Sequence, residues 1–148
     1  MKLIVTSPFA VALEADGVAH VRAEDATGAF GILPGHADFL TALAVSVIRW
    51  RDPADAEHYI AVRGGVLEVQ GGDTVAVATP EAVADDDLHR LEREALARFR
   101  CRLADEQAAR IDAQRLYLAA LRQITRYLRG ENGSRAMPAG MSPDDAGR

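Results

Sequence analysis

No glycine occurs between Gly72 and Gly130, and no proline occurs between Pro80 and Pro138. That gap constrains the fold more than any other feature, because these are the two residues that most readily interrupt a helix. Upstream of it, turn chemistry recurs. Gly64-Gly65 and Gly71-Gly72-Asp73 offer the positive φ angles that tight turns need. Between them, Leu67 and Val69 fall on one face and Glu68 and Gln70 on the other, the period-two pattern of a half-buried strand. The runs 57–63 and 74–79 read as strands on either side, with Pro80 closing the second. Residues 3–6, 18–23 and 44–50 are earlier strand candidates. Many short strands divided by turns indicate an all-β sandwich or barrel over residues 1–84.

The pattern changes at Asp85-Asp86-Asp87, which supplies an N-cap and negative charge for a helix start. Leu88, Leu91, Ala95, Phe99 and Leu103 then follow at spacings of three and four, an amphipathic helix. A second amphipathic run extends from Glu106 to Arg129, where Gly130 offers a C-cap. The stretch 103–107 contains neither Gly nor Pro, so a helical hairpin and one long helix both remain open. The expected organisation is a β domain over 1–84, a two-helix domain over 85–130, and a polar, disordered tail over 131–148.

A chain of 148 residues holds one ordinary domain, or a small domain with an appendage. It is 49% hydrophobic but only 5% aromatic, so its core must be aliphatic. The single cysteine, Cys101, rules out an internal disulfide and a multi-cysteine zinc site. A net charge of −5 weighs against nucleic acid as a partner. The apolar start, residues 1–5, is cut short by Thr6-Ser7-Pro8, and no run reaches the ~20 apolar residues of a membrane span. A soluble, cytoplasmic chain is expected. Sixteen of the seventeen basic residues are arginine, so their placement says more than their number. Residues 1–84 carry five basic and eleven acidic side chains, net −6, whereas 106–129 carry five arginines against Glu106 and Asp112, net +3.

No catalytic or metal-binding pattern emerges. His20, His36, His58 and His89 are scattered, and neither a GxSxG elbow nor a GxxxxGK[ST] loop is present. His36 and Asp38 lie close in sequence, which suits a loop-bonding histidine better than general acid–base work. Cys101, among Arg98, Arg100 and Arg102, reads as a small helix residue. No catalytic residue, metal or required cofactor is expected.

The most distinctive stretch of the β half is residues 28–43, Gly-Ala-Phe-Gly-Ile-Leu-Pro-Gly-His-Ala followed by Asp-Phe-Leu-Thr-Ala-Leu. It reads as a short strand, a Pro-Gly turn and a return to another strand. Together with Arg63-Gly64-Gly65-Val66-Leu67-Glu68-Val69 and the Pro80-Glu81-Ala82-Val83 segment, it resembles the epsilon subunit of the bacterial F-type ATP synthase over roughly residues 2–129. The resemblance implies a β-sandwich of about ten strands and a C-terminal pair of helices, folded as a hairpin or extended. It implies a non-catalytic central-stalk subunit, peripheral to the cytoplasmic face of the inner membrane. The sandwich would contact the gamma subunit and the c-subunit ring, with Ala29, Phe30, Gly31, Ile32, Leu33, Pro34, Gly35, His36 and Thr41 as contact candidates. The helices would reach the alpha and beta subunits and inhibit ATP hydrolysis. Four departures stand out: residues 7–16 lack the aromatic-Ser/Glu-Gly feature common where Ala12–Asp16 lies, Ala29 occupies a position often polar or acidic, 103–107 lacks a Gly/Ser-rich hinge, and the tail is long.

At 100° per residue, Arg115, Arg122, Arg126 and Arg129 share one face of the second helix, with Ala113, Tyr117, Ala120, Leu121, Ile124 and Leu128 opposite. Three readings of this stripe compete: a solvated face, docking on acidic surface of the catalytic head, and nucleotide binding. For the last, Ile111-Asp112-x-x-Arg115, with Arg122 and Arg126 beyond, is similar to the motif through which some bacterial epsilon subunits bind regulatory ATP, although Leu116 replaces its alanine. Rival readings of the whole chain are a free β-sandwich binding module with a helical oligomerisation tail and, more weakly, a small hydrolase built on His36 and Asp38.

Overall fold

In a computed structural model whose described residues are 1–132, the β half comprises eight strands. They are β1 (Lys2–Ser7), β2 (Ala10–Ala15), β3 (His20–Asp25), β4 (Gly28–Ile32), β5 (Phe39–Arg51), β6 (Glu57–Gln70), β7 (Thr74–Ala78) and β8 (Ala82–Ala84). They join in the order β2-β1-β7-β6-β5-β3-β4, with β8 also on β6. All pairs are antiparallel except β1 with β7.

Gly64-Gly65 is a bend inside one strand, not a turn between two. β6 runs for 14 residues and pairs with β5 along most of its length. On its other edge, Ile60–Val62 pairs with β8 and Val66–Gln70 pairs with β7. The two glycines between take φ angles of 71° and 115°. A Cβ on Gly65 would lie 2.0 Å from the Ala78 carbonyl oxygen, so no side chain fits where the strand folds over.

Alternation then fills the interior. Leu3 and Val5, Val75 and Val77, Leu67 and Val69, Ile60 and Val62, and Ile48 and Trp50 point into one aliphatic core, with Val18, Val21 and Ile32 closing it. In the first half of β6, Ile60, Ala61 and Val62 are all buried. Ala61 points outward, under a second cluster formed by Leu91, Ala95, Leu96 and Phe99, with Val45, Val47, Tyr59 and Val83 at its margin.

That second cluster belongs to the helical half. Asp87 caps the first turn, α1 (Leu88–Arg90), accepting from the Arg90 N–H at 3.2 Å. A π-helical stretch, Leu91–Ala95, follows, and then α2, Leu96–Asn132. Leu96 N–H donates to the Leu91 carbonyl five residues back. This widened turn brings Leu96 onto the same side as Leu91, a burial that a 3.6-residue period misses. Leu103, expected on the buried stripe, is exposed.

Where the sequence leaves a hairpin and a long helix open, α2 runs unbroken for 37 residues through 103–107. Gly130 does not end it, since glycine within a helix costs only about 1 kcal/mol against alanine. Glu131 and Asn132, expected in the tail, are helical, and the rest of that tail, 133–148, lies outside the described residues. The chain divides into two compact units, Met1–Glu106 and the residues from Gln107 onward. No helix of the described residues is long and apolar enough to cross a membrane.

Candidate functional site

The residues of the 28–43 stretch divide into those that hold the sandwich and those that it presents. Ile32 is wholly buried. Phe30 packs against that core, its ring edge-on to Phe39 at 5.6 Å between centroids. Gly31 lies beneath His20, whose Nε2 would be 2.8 Å from a Cβ there. Thr41 donates to Asp25 Oδ2 at 2.8 Å, while Asp25 Oδ1 accepts from the Thr27 hydroxyl and amide at 2.6 and 2.8 Å. The Thr27 and Thr41 hydrogen bonds hold the Asp25 carboxyl below its usual range, Thr27 most strongly.

Of the contact candidates, Ala29, Gly31, Leu33, Pro34 and Gly35 are exposed, the last three on one turn. The turn that carries Leu33, Pro34 and Gly35 is tied to the turn at the end of β6. Gly35 N–H donates to the Gly72 carbonyl at 2.7 Å, and Gly71 N–H donates to Asp38 Oδ1 at 2.7 Å. A Cβ on Gly72 would stand 3.0 Å from the Gly35 Cα, so the turn at the end of β6 needs glycine there, while Gly35 takes a left-handed φ of 84°. Leu33, 60% exposed, is thereby held out on a rigid tip.

His36 and Asp38 have separate structural tasks. His36 Nδ1 donates to the adjacent Ala37 carbonyl at 2.7 Å and its ring meets Phe39 edge-on, while Asp38 caps the neighbouring turn. The two do not converge on a reacting centre.

A surface that sequence reasoning missed lies on the outer face of the sheet. Register places Ala42 beside Val66 and Val66 beside Ala78, with Leu40 beside Glu68, Glu68 beside Ala76, and Ala76 beside Ile4. Leu40 is 67% exposed and Val66 44%. The signal was available: on a strand whose inner face is already apolar, the alternate positions Leu40, Ala42 and Val66 should be polar if they met only water.

The unit from Gln107 onward presents the helical candidates. Ile111, Leu116, Tyr117, Leu118, Leu121, Ile124, Tyr127 and Leu128 are all exposed. Arg122, Arg126 and Arg129, with Leu118, Leu121 and Thr125, line one surface depression of this unit. Of the nucleotide candidates, Asp112 and Arg115 approach to 3.7 Å. Arg122 and Arg126 stand one turn apart and make no ion pair among the described residues. Ile111, Asp112, Arg115, Arg122 and Arg126 thus form a line along one helix, not an enclosure.

These features meet their counterparts in known proteins. Residues 1–85 match the model of the family described as "ATP synthase, Delta/Epsilon chain, beta-sandwich domain". The chain is 46% identical over 130 residues to the ATP synthase epsilon chain 2 of Cereibacter sphaeroides, covering 86% of this chain and 88% of that one. It is 40% identical over 134 residues to the epsilon chain 2 of Paraburkholderia xenovorans, covering 90% and 96%. The fold is also similar to a chain in the Euglena gracilis mitochondrial ATP synthase structure containing OSCP, F1 and the c-ring, with a TM-score of 0.54 and 24% identity. That likeness covers 62% of this chain and 58% of the solved one. The chain belongs to the epsilon-chain family of F-type ATP synthases.

Proposed function

We propose that this chain is a non-catalytic rotor subunit of a bacterial ATP synthase, located on the cytoplasmic face of the inner membrane, that restrains ATP hydrolysis through its C-terminal helix. The observation that carries this reading is the helix from Gln107 to Arg129, whose apolar back and arginine front are both exposed. An amphipathic helix gains most of its stability from burying its apolar stripe, so this one is built for a partner surface. Arg122 and Arg126, four residues apart and of like charge, favour an acidic surface, and the partners proposed for it are the alpha and beta subunits of the catalytic head. The apolar outer sheet face suits the gamma subunit. The paired glycine turns with Leu33 suit the c ring, and Ala29, at the other end of β4, is also exposed. A close-packed aliphatic sandwich is a stiff element for passing torque between them.

The test is reconstitution of the complex with and without the chain. Stoichiometric binding to gamma and slower ATP hydrolysis on adding the chain are expected. Self-association with no affinity for gamma would favour the free binding module.

A regulatory nucleotide is the second reading, favoured by Asp112 and Arg115 one turn apart and by the two further arginines without ion pairs among the described residues. Guanidinium groups would grip phosphate oxygens in two-pronged fashion. Calorimetry with ATP on the full chain and on Arg115→Ala decides it: heat of binding lost in the variant supports the site, and no heat with either chain removes it.

A further inference from the structure

Four basic side chains meet on the outer face of the sheet where β3 lies against β5. Val21, Ile48 and Trp50 point into the core, so strand alternation sends His20, Arg22, Arg49 and Arg51 to the opposite side. Register then sets Arg22 directly opposite Arg49, and His20 directly opposite Arg51. Two basic pairs in succession weaken an antiparallel contact, because like charges directly opposite repel. Packing gives no reason for the choice. Arg22 is exposed, and its neighbour on β4 is Gly31, which has no side chain to lie against it.

The four differ in what already holds them. Arg49 reaches Glu92 at 3.3 Å, and Arg51 reaches Glu57 at 3.1 Å and Asp55 at 3.4 Å. The side chains of His20 and Arg22 make no hydrogen bond or ion pair among the described residues. A Cβ on Gly31 would stand 2.8 Å from His20 Nε2, so the glycine leaves room for the imidazole over β4. Together with Trp50 and Glu57, the four line a depression of about 110 Å³. Its one carboxylate, Glu57, is turned to Arg51 and to the Tyr59 hydroxyl, which donates at 3.0 Å. Pockets for drug-sized molecules run to roughly 300–1,000 Å³, so this one suits a compact anion and is too small for a nucleoside. Guanidinium forks match the oxygens of a tetrahedral oxyanion and are more weakly hydrated than an ammonium group.

We propose that His20, Arg22, Arg49 and Arg51 form a binding site for a phosphoryl group, carried by free phosphate or by an anionic lipid headgroup. Arg22 is the principal fork and His20 adds an N–H donor. Arg49 and Arg51 complete the positive wall while keeping their carboxylate partners. The bound anion offsets the cross-strand repulsion, so occupancy stabilises the β3–β5 contact. The site belongs to the sandwich and uses none of the helical arginines from Arg115 to Arg129.

Titration of the full chain with sodium phosphate at constant ionic strength tests the site, read by backbone amide shifts and by the fluorescence of Trp50, the chain's one tryptophan. Saturable shifts are expected at residues 20–22 and 49–51, half complete on the order of 1 mM. Arg22→Gln should weaken binding roughly tenfold, the loss of one charge-assisted fork, whereas Arg115→Ala should leave it unchanged. Phosphate should also raise the thermal midpoint of the wild type more than that of Arg22→Gln. A second arm replaces phosphate with vesicles of phosphatidylglycerol in phosphatidylcholine, against phosphatidylcholine alone. Binding that depends on Arg22 in the first arm assigns the site to free phosphate, and in the second arm alone to a lipid headgroup. Non-saturating shifts together with vesicle binding indifferent to Arg22→Gln would overturn the proposal and leave the cluster to an acidic protein surface. Loss of the phosphate response in Arg115→Ala instead would overturn it too.

Discussion

The two units of this chain handle the same aliphatic composition in opposite ways. In the unit ending at Glu106, strand alternation and one widened helical turn put nearly every large apolar residue inside, with Leu33, Leu40, Val66 and Phe9 among the exceptions. In the unit from Gln107 onward, Ile111, Leu116, Tyr117, Leu121, Ile124, Tyr127 and Leu128 all stand in the open. The first satisfies its own hydrophobic demand and leaves a few deliberate exposures. Among the described residues, the second satisfies almost none. A self-sufficient body joined to a helix in need of a surface is the architecture expected of a part that is gripped at one end and engages at the other.

The largest expected effect comes from breaking the self-sufficient side at its fold. Gly65→Ala sets a Cβ against the Ala78 carbonyl at a φ of 115° and should cost more than about 4 kcal/mol, read by urea unfolding followed through Trp50 fluorescence. A cost under about 1 kcal/mol would show that β6 can bend elsewhere. Next, Phe99→Ala empties a wholly buried site between helix and sheet and should cost about 3–5 kcal/mol in the same assay.

The helix should behave otherwise. Ile124→Ala and Tyr117→Ala, both at exposed positions, should change the stability of the free chain by no more than about 0.5 kcal/mol. In the assembled complex the same changes should relieve inhibition of ATP hydrolysis. A large stability loss in the free chain would mean that the apolar face already has a home there.

Much of this contrast was legible beforehand. The gap in glycine and proline separates strand from helix, and the motif around Pro34-Gly35 points to the turn that the fold uses as a tip. The misses have physical causes. Gly64-Gly65 has turn chemistry but serves as a bend, because β5 pairs on both sides of it and carries the strand through. Leu96 lay off the expected stripe because the period changes at Leu91–Ala95. β2 was not anticipated, since Ala10-Val11-Ala12-Leu13 lacks alternation in polarity, and only its partner β1 defines it. Of the contact candidates, Ile32 is buried, Phe30 packs against the core and Thr41 bonds Asp25, whereas Ala29, Gly31, Leu33, Pro34 and Gly35 are exposed. Sequence similarity cannot tell a residue kept for packing from one kept for contact.

The smallest expected effect concerns pH. Asp25 has a folded-state pKa below its unfolded value of about 3.9, chiefly through its bonds to Thr27. It therefore stabilises the sandwich above that value, and the contribution fades as pH falls through the folded pKa. Asp25→Asn should be less stable than wild type at neutral pH, and the gap should narrow in acid urea titrations below about pH 4. A gap that is constant with pH would assign Asp25 a purely steric role.

The central claim is that a sandwich bound to gamma within the rotor carries a separable helix that restrains hydrolysis. It is tested most directly by the ATPase rate of the reconstituted complex, with the full chain and with the chain ending at Glu106. The truncated chain should still assemble with gamma in stoichiometric amount, and the complex should hydrolyse ATP several-fold faster than with the full chain. Equal rates in two fully assembled complexes would contradict the account.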